Sequence, residues 1–170
     1  KRIPLLKAVA REIDTEVIVA GDGDYREELL EDKPENLTYV GYVPDHKKWE
    51  YLNHAKATLF LAENEDFGIV PIESFAAGTP VIGVNEGYTK HQIKHGRNGM
   101  LVSPTKTGVV SGIEELESHG IAWDSQEVAA FADQFSAERF ADEIKKTVTA
   151  IERETTVTAQ HNAPATVSHD

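Results

Sequence analysis

Cysteine is absent from this 170-residue sequence. Disulfides and thiolate sites are thereby excluded, and the composition fits a reducing compartment, the cytoplasm. No run of about 18 apolar residues occurs, so no direct membrane insertion is expected. The opening Lys1-Arg2-Ile3-Pro4-Leu5-Leu6-Lys7 is too short and too interrupted for a secretory signal. Positive charge is scarce as well: 17 Lys and Arg stand against 29 Asp and Glu, a formal net charge of -12. Nucleic acid or an anionic membrane face would be repelled over most of such a surface, so no nucleic-acid partner is expected. The phosphates of an anionic ligand would have to be met locally, by helix ends and a few lysines.

What is present is an alternation of two periods. Leu5, Leu6, Val9, Ala10 and Ile13 recur at helical spacing, so the chain begins almost inside a helix. Short apolar runs over 17–19, 37–42, 57–61, 80–84 and 100–102 read as strands, with helices over 25–31, 45–54, 71–77, 89–95 and 106–118 between and after them. Tyr25, Leu29 and Leu30 are expected to face inward, Asp45 to cap its helix, and Trp49 and Leu52 to form that helix's apolar face. Asp124 with Glu127 makes a capping-box-like start for a helix over 126–132. Ser136 caps a last helix on which Phe140, Ile144, Val148 and Ile151 share one face. Residues 154–170 lack periodicity and are expected to form a disordered tail, which leaves one domain over 1–153.

Strands alternating with helices predict an α/β fold, a Rossmann-like parallel sheet flanked by helices. Ligands in such sheets bind beyond the carboxyl ends of the strands, where the loops 21–24, 41–44, 62–67 and 85–88 gather. A domain of this kind normally places a strand ahead of its first helix. That strand is not in the sequence and is expected upstream of Lys1.

The stretch from Glu63 to Ile82 organises the chain. An acidic loop leads into one short helix, with Pro71 suited to its first position and Gly78 to the left-handed residue just past its end. This places Glu73 in the first turn and leaves Glu65 on the lip ahead of it. The amides of Gly68, Ile69 and Val70 point out of the helix start, where an anion is favoured. Two carboxylates around an anion-holding helix end suit a ligand with hydroxyls at both ends and phosphates in the middle. The plainer reading is that Glu73 is only a dipole or capping partner and that the acidic loop is merely solvated. Asp22-x-Asp24 reads either as a metal-binding pair or as a turn shaped by glycine. His91 and His95 share a helix face but lack a third ligand for zinc, and exposed histidines are expected.

Glu65-x7-Glu73, with Phe67-Gly68-Ile69 after the first Glu and Ala76-x-Gly78-x-Pro80-Val81-Ile82 after the second, resembles the signature of the retaining GT-B glycosyltransferases. The likeness is to family 4, the glycosyl transferases group 1, mannosyltransferase-like, in the carboxy-terminal half that binds the sugar nucleotide. Gly21-Asp22-Gly23, residues 37–43 and Phe135-Ser136-x-x-Arg139-Phe140 resemble further family segments, and the resemblance runs to about Ile151. It implies the second domain of a GT-B fold, with Glu73 on the ribose hydroxyls, Glu65 at the donor sugar in the catalytic position, and Phe67, Gly68, Ile69 and Val70 along the diphosphate. Val43 would line the nucleobase and Lys1 would meet the diphosphate. An arginine of the family would fall upstream of residue 1, and His91 stands where the family often has an acid. The resemblance further implies a UDP- or GDP-sugar donor with no metal or other cofactor required, and an acceptor glycan or lipid bound through the missing amino-terminal half. The enzyme would be cytoplasmic, or peripheral at the inner membrane face through that half, and this chain alone inactive. The competing expectation is a non-catalytic nucleotide-sugar-binding module or a subunit of a split enzyme.

Overall fold

The computed structural model describes residues 1–118 and 123–161, with side chains described through Arg153. It divides into two units, Lys1–Ala132 and a second beginning at Asp133. The first contains five strands, β1 (Val17–Ala20), β2 (Leu37–Gly41), β3 (Thr58–Phe60), β4 (Val81–Val84) and β5 (Gly99–Val102). Its helices are α1 (Ile3–Ala10), α2 (Arg26–Leu30), α3 (Asp45–His54), α4 (Ile69–Ala76), α5 (Thr89–Gln92), α6 (Lys106–Ser118) and α7 (Ser125–Ala130). In the second unit a 3-10 turn, Asp133–Phe135, precedes α8 (Ala137–His161).

Every strand pair is parallel, as short strands separated by helical crossovers require. The strands form two sheets, β1-β2 and β3-β4-β5, where the sequence predicts one. β1 and β3 do not pair, so among the described residues each is an edge. The difference shows in burial. β4, central in its sheet, is buried at all four positions, whereas Ile18 in β1 is 44% exposed.

α1 holds the two sheets together. Val9 packs into the core of Leu61, Ile82, Val84, Met100 and Val109, while its neighbour Ala10 packs with Val17, Leu29 and Leu37. The opposite face of β4 belongs to a third cluster, in which Phe60, Phe75, Val81, Ile93 and Val128 meet. Gly83 lies on that face because nothing larger fits: a Cβ there would come within 2.3 Å of Ile93 Cδ1.

Several local expectations shift. α1 stops at Ala10, before Ile13. α2 is barely more than one turn, so only Leu29 reaches the core, and Tyr25 and Leu30 are exposed. Pro44, not Asp45, is the N-cap of α3, and the Asp45 carboxylate turns instead to Lys48. Asp124 caps α7 as predicted, accepting from the N–H groups of Gln126 and Glu127. The Ser136 hydroxyl accepts from the Arg139 N–H at 3.3 Å at the start of α8. Of the expected tail, residues 162–170 lie outside the described residues. α8 continues to His161, since no Pro or Gly occurs before Pro164 to stop it. No described helix is long and apolar enough to cross a membrane.

Phe75 is fully buried on the inner face of α4, its ring 6.4 Å from that of Phe131. Phe75→Ala should cost about 3–5 kcal/mol of folding stability. Denaturant titration checks this, and a loss below about 1 kcal/mol would mean that α4 is not seated on the core as described.

Candidate functional site

Of the loops beyond the carboxyl ends of the strands, 62–67 and 85–88 meet ahead of the start of α4. The chain enters that helix at Gly68, with φ 77°. A Cβ at this position would meet the Phe60 ring at 3.1 Å and Glu65 Cγ at 3.2 Å, so both conformation and space call for glycine. The helix therefore starts two residues earlier than the proline predicts. Pro71 is its third residue, where a missing N–H still costs nothing. Glu73 is its fifth, one turn in, so it is no first-turn capping partner. Among the described residues no protein acceptor takes the N–H groups of Gly68, Ile69 or Val70. Three donors without a protein acceptor thus lie at the positive end of the helix dipole, with Gly68 buried and Ile69 and Val70 exposed.

The far end of α4 follows the prediction. Gly78, φ 74°, donates to the Phe75 carbonyl at 2.7 Å, and Thr79 donates to that of Ser74 at 2.9 Å. This is the Schellman arrangement. The Ser74 hydroxyl bonds the Thr79 carbonyl and the Thr58 hydroxyl, both at 2.8 Å, and the Thr79 hydroxyl donates to the Leu52 carbonyl. α4 is thereby tied to β3 and α3, which fixes where its amino end and Glu73 lie.

Glu65, Glu86 and Glu73 each hold a cation. Glu65 Oε2 is 3.2 Å from Lys1 Nζ, which also stands 5.2 Å over the Phe60 ring. Arg2 Nη2 donates to Glu86 Oε2 at 2.6 Å, with Glu63 at 4.0 Å. Glu73 Oε1 accepts from Lys48 Nζ at 2.7 Å. Lys48 is also 3.3 Å from Asp45. Its hydrogen bond to Glu73 lifts the ammonium above the ordinary lysine range, burial opposing this and Asp45 adding to it. The acidic loop is itself fastened: the Glu65 carbonyl accepts from the Tyr88 N–H at 2.8 Å, and Gly87 approaches so closely that a Cβ would lie 2.7 Å from that oxygen. The Phe67 and Tyr88 rings are 5.5 Å apart, and Tyr88 and His91 5.4 Å.

Lys1, Glu65 and Gly68 are thus in direct contact, with Phe67, Ile69 and Val70 adjoining in the chain. Glu73 faces α3 through Lys48. Val43 stands half-buried between β2 and α3, in the loop that leads to Lys48. Sequence reasoning missed Arg2, Lys48, Glu86 and Gln92. The Asp45–Lys48 spacing on α3 was the one visible signal, and it points only to an exposed intrahelical pair. Among the described residues no three His, Cys, Asp or Glu side chains are grouped to hold a metal ion. Asp22 instead accepts from the Gly23 N–H at 2.9 Å and the Tyr39 hydroxyl at 3.3 Å, and His95 Nδ1 accepts from the Leu101 N–H. A cavity of about 350 Å³ lined by Lys56, Gly78, Pro80, Trp123 and Ser125 opens at the opposite, amino ends of β3 and β4, away from these carboxylates.

A model of the family described as glycosyl transferases group 1 matches residues 3–127. Alpha-1,3/1,6-mannosyltransferase ALG2 of Mus musculus is 30% identical over 127 residues, which cover 71% of this chain and 30% of that protein. The 2-deoxystreptamine N-acetyl-D-glucosaminyltransferase of Niallia circulans is 34% identical over 119 residues, covering 66% and 30%. Sucrose-phosphate synthase of Thermosynechococcus elongatus matches in structure with a TM-score of 0.78 at 21% identity, over 89% of this chain and 42% of that one. Anabaena Alr3699/HepE, solved in complex with UDP, matches with a TM-score of 0.71 at 22% identity, over 88% and 45%. The structural likeness shows a GT-B, Rossmann-like fold, and the chain spans about 30% of the length of these curated relatives.

The Lys48–Glu73 pair is only partly buried, with side chains 33% and 23% exposed. Lys48→Met should therefore lower folding stability by no more than about 1 kcal/mol. A loss of several kcal/mol in denaturant titration would show the pair to be a structural tie rather than a feature of the site.

Proposed function

This chain belongs to the glycosyl transferases group 1, and we propose that it is the part of such an enzyme that binds the sugar nucleotide, for retaining transfer from a UDP- or GDP-sugar. The observation that carries this reading is the start of α4. Three amides without a protein acceptor stand there, with Glu65 before them in the chain and Glu73 one turn behind. A diphosphate suits the amides and Lys1. A vicinal diol suits Glu73, because an ionised carboxylate only accepts and offers about four lone-pair sites, enough for both ribose hydroxyls beside Lys48. Glu65, beside Lys1 and Gly68, suits the hydroxyls of the sugar. Phe67 lies along the diphosphate and Val43 toward the base. Structural neighbours solved with UDP and with UDP-glucose support the ligand class.

The same geometry serves the reaction. As the bond from the anomeric carbon to the phosphate oxygen breaks, negative charge gathers on the departing diphosphate, and preorganised amides at a helix start stabilise it without reorganisation. Glu65 orients the sugar as positive charge develops at its anomeric carbon. Neutralisation by amides and Lys1 leaves no step that requires a metal. The acceptor, a glycan or lipid, is bound by the remainder of the enzyme.

Calorimetry of this chain with UDP, GDP and their sugars, in the presence of chelator, tests the reading. Glu73→Ala should weaken nucleoside diphosphate and sugar nucleotide alike by about 1–3 kcal/mol, the worth of hydrogen bonds to a charged group. Glu65→Gln should spare the bare diphosphate and weaken the sugar-bearing donor. Equal losses for both ligands in both variants would contradict the separate roles, and binding that returns only with Mg2+ or Mn2+ would move the site to a metal.

A further inference from the structure

The carbonyl of Gly68 and the N–H of Ile69 belong to one peptide unit. In a trans peptide these two groups point in opposite directions, and no cis peptide is present among the described residues. Whatever holds the carbonyl inward therefore aims the amide outward. Gly68 itself supplies little restraint, because glycine lacks the Cβ that confines other residues. As the N-cap carbonyl of α4, the Gly68 carbonyl accepts the first intrahelical bond, from the Ile72 N–H. The structure assigns its second restraint to Gln92, at the end of α5, whose Nε2 donates to the Gly68 carbonyl at 3.1 Å.

Gln92 is an unexpected residue for its surroundings. It is 5% exposed, and its Oε1 has no hydrogen-bond partner among the described residues. A buried amide left half-paired is destabilising relative to an apolar side chain of similar size. The next residue, Ile93, fills the apolar core beneath Gly83. The backbone of Gln92 is nonetheless fixed with care. Its carbonyl accepts from Asn98 Nδ2 at 3.1 Å, and fully buried Asn98 accepts in turn from the Lys94 N–H at 2.7 Å. A side chain that weakens the core while standing on a rigid turn is placed for what it holds, and it holds the first peptide of α4.

We propose that Gln92 is a positioning residue for the diphosphate: by pinning the Gly68 carbonyl it keeps the Ile69 amide directed at the anion. This rests on the reading of the α4 start as the phosphate site. Gln92 touches no ligand atom itself. Its removal leaves this peptide plane held only by the fraying first intrahelical bond at a glycine, so the amide's aim loosens without any loss of charge or shape at the surface.

The test compares UDP with uridine on the full chain, and GDP with guanosine in parallel, scoring the series that the wild type prefers. Gln92→Met keeps the length and bulk of the side chain and removes the donor. It should bind the diphosphate about tenfold more weakly, as expected for one hydrogen bond to a charged group, while binding the bare nucleoside as the wild type does. A folded Gln92→Met that retains the wild-type ratio of diphosphate to nucleoside affinity overturns the proposal. A second measurement needs no variant: in wild-type NMR spectra the Gln92 side-chain amide protons should exchange slowly with solvent, and the Ile69 amide signal should move with UDP and not with uridine. Gln92 protons exchanging as fast as those of a free glutamine would overturn it equally. A wild type that prefers neither diphosphate over its nucleoside overturns the phosphate-site reading itself, and the role of Gln92 with it.

Discussion

The entry of the chain into α4 has to satisfy three demands at one residue. Gly68 must turn with positive φ, lie against the Phe60 ring, and leave the first amides of the helix without a protein acceptor. Only glycine meets the first two together. The third follows from what surrounds the helix: Phe75 seats it in the core, Ser74 and Thr79 tie it to β3 and α3, and Gln92 holds its first carbonyl. These donors are therefore a consequence of how α4 is anchored, and every proposed contact is measured outward from them.

Electrostatics explains how an acidic protein can present such a place. With a net charge of -12 the surface as a whole disfavours anions. At the strand ends, however, Glu65, Glu73 and Glu86 each hold a cation, Lys1, Lys48 and Arg2 respectively. These three carboxylates are thus locally balanced, and the amides at the start of α4 add a partial positive charge beside them. A ligand carrying hydroxyls beside phosphates can use both kinds of group, where inorganic phosphate alone would find only one.

How much of this the sequence disclosed depended on the range of the interaction. Gly78 and Asp124 were legible because a helix end and a capping side chain are set by neighbours within a few residues. The strands were legible because parallel strands buried on both faces are apolar throughout, as β4 is. The start of α4 was misjudged by two residues, since Pro71 is the stronger local signal while Gly68 is fixed by Phe60, eight residues away. Lys48 and Gln92 were overlooked for a related reason. Each reads as an unremarkable polar residue in a helical stretch, and its role is set by partners 25 and 24 positions away. The separation of β1 from β3 was likewise a matter of pairing, which no run of apolar residues announces. Glu65, Gly68 and Glu73 were found through their joint spacing, a pattern that survives errors of a residue or two in the helix boundary.

The claim on which the rest depends is that a nucleoside diphosphate rests on the start of α4 between the two carboxylates. A crystal structure of this chain with UDP or GDP bound tests it most directly. The account predicts phosphate oxygens within hydrogen-bond distance, about 3 Å, of the Gly68, Ile69 and Val70 nitrogens, with ribose hydroxyls on Glu73. A nucleotide seated elsewhere, such as in the cavity beside Lys56 and Trp123 at the opposite ends of the strands, would contradict it.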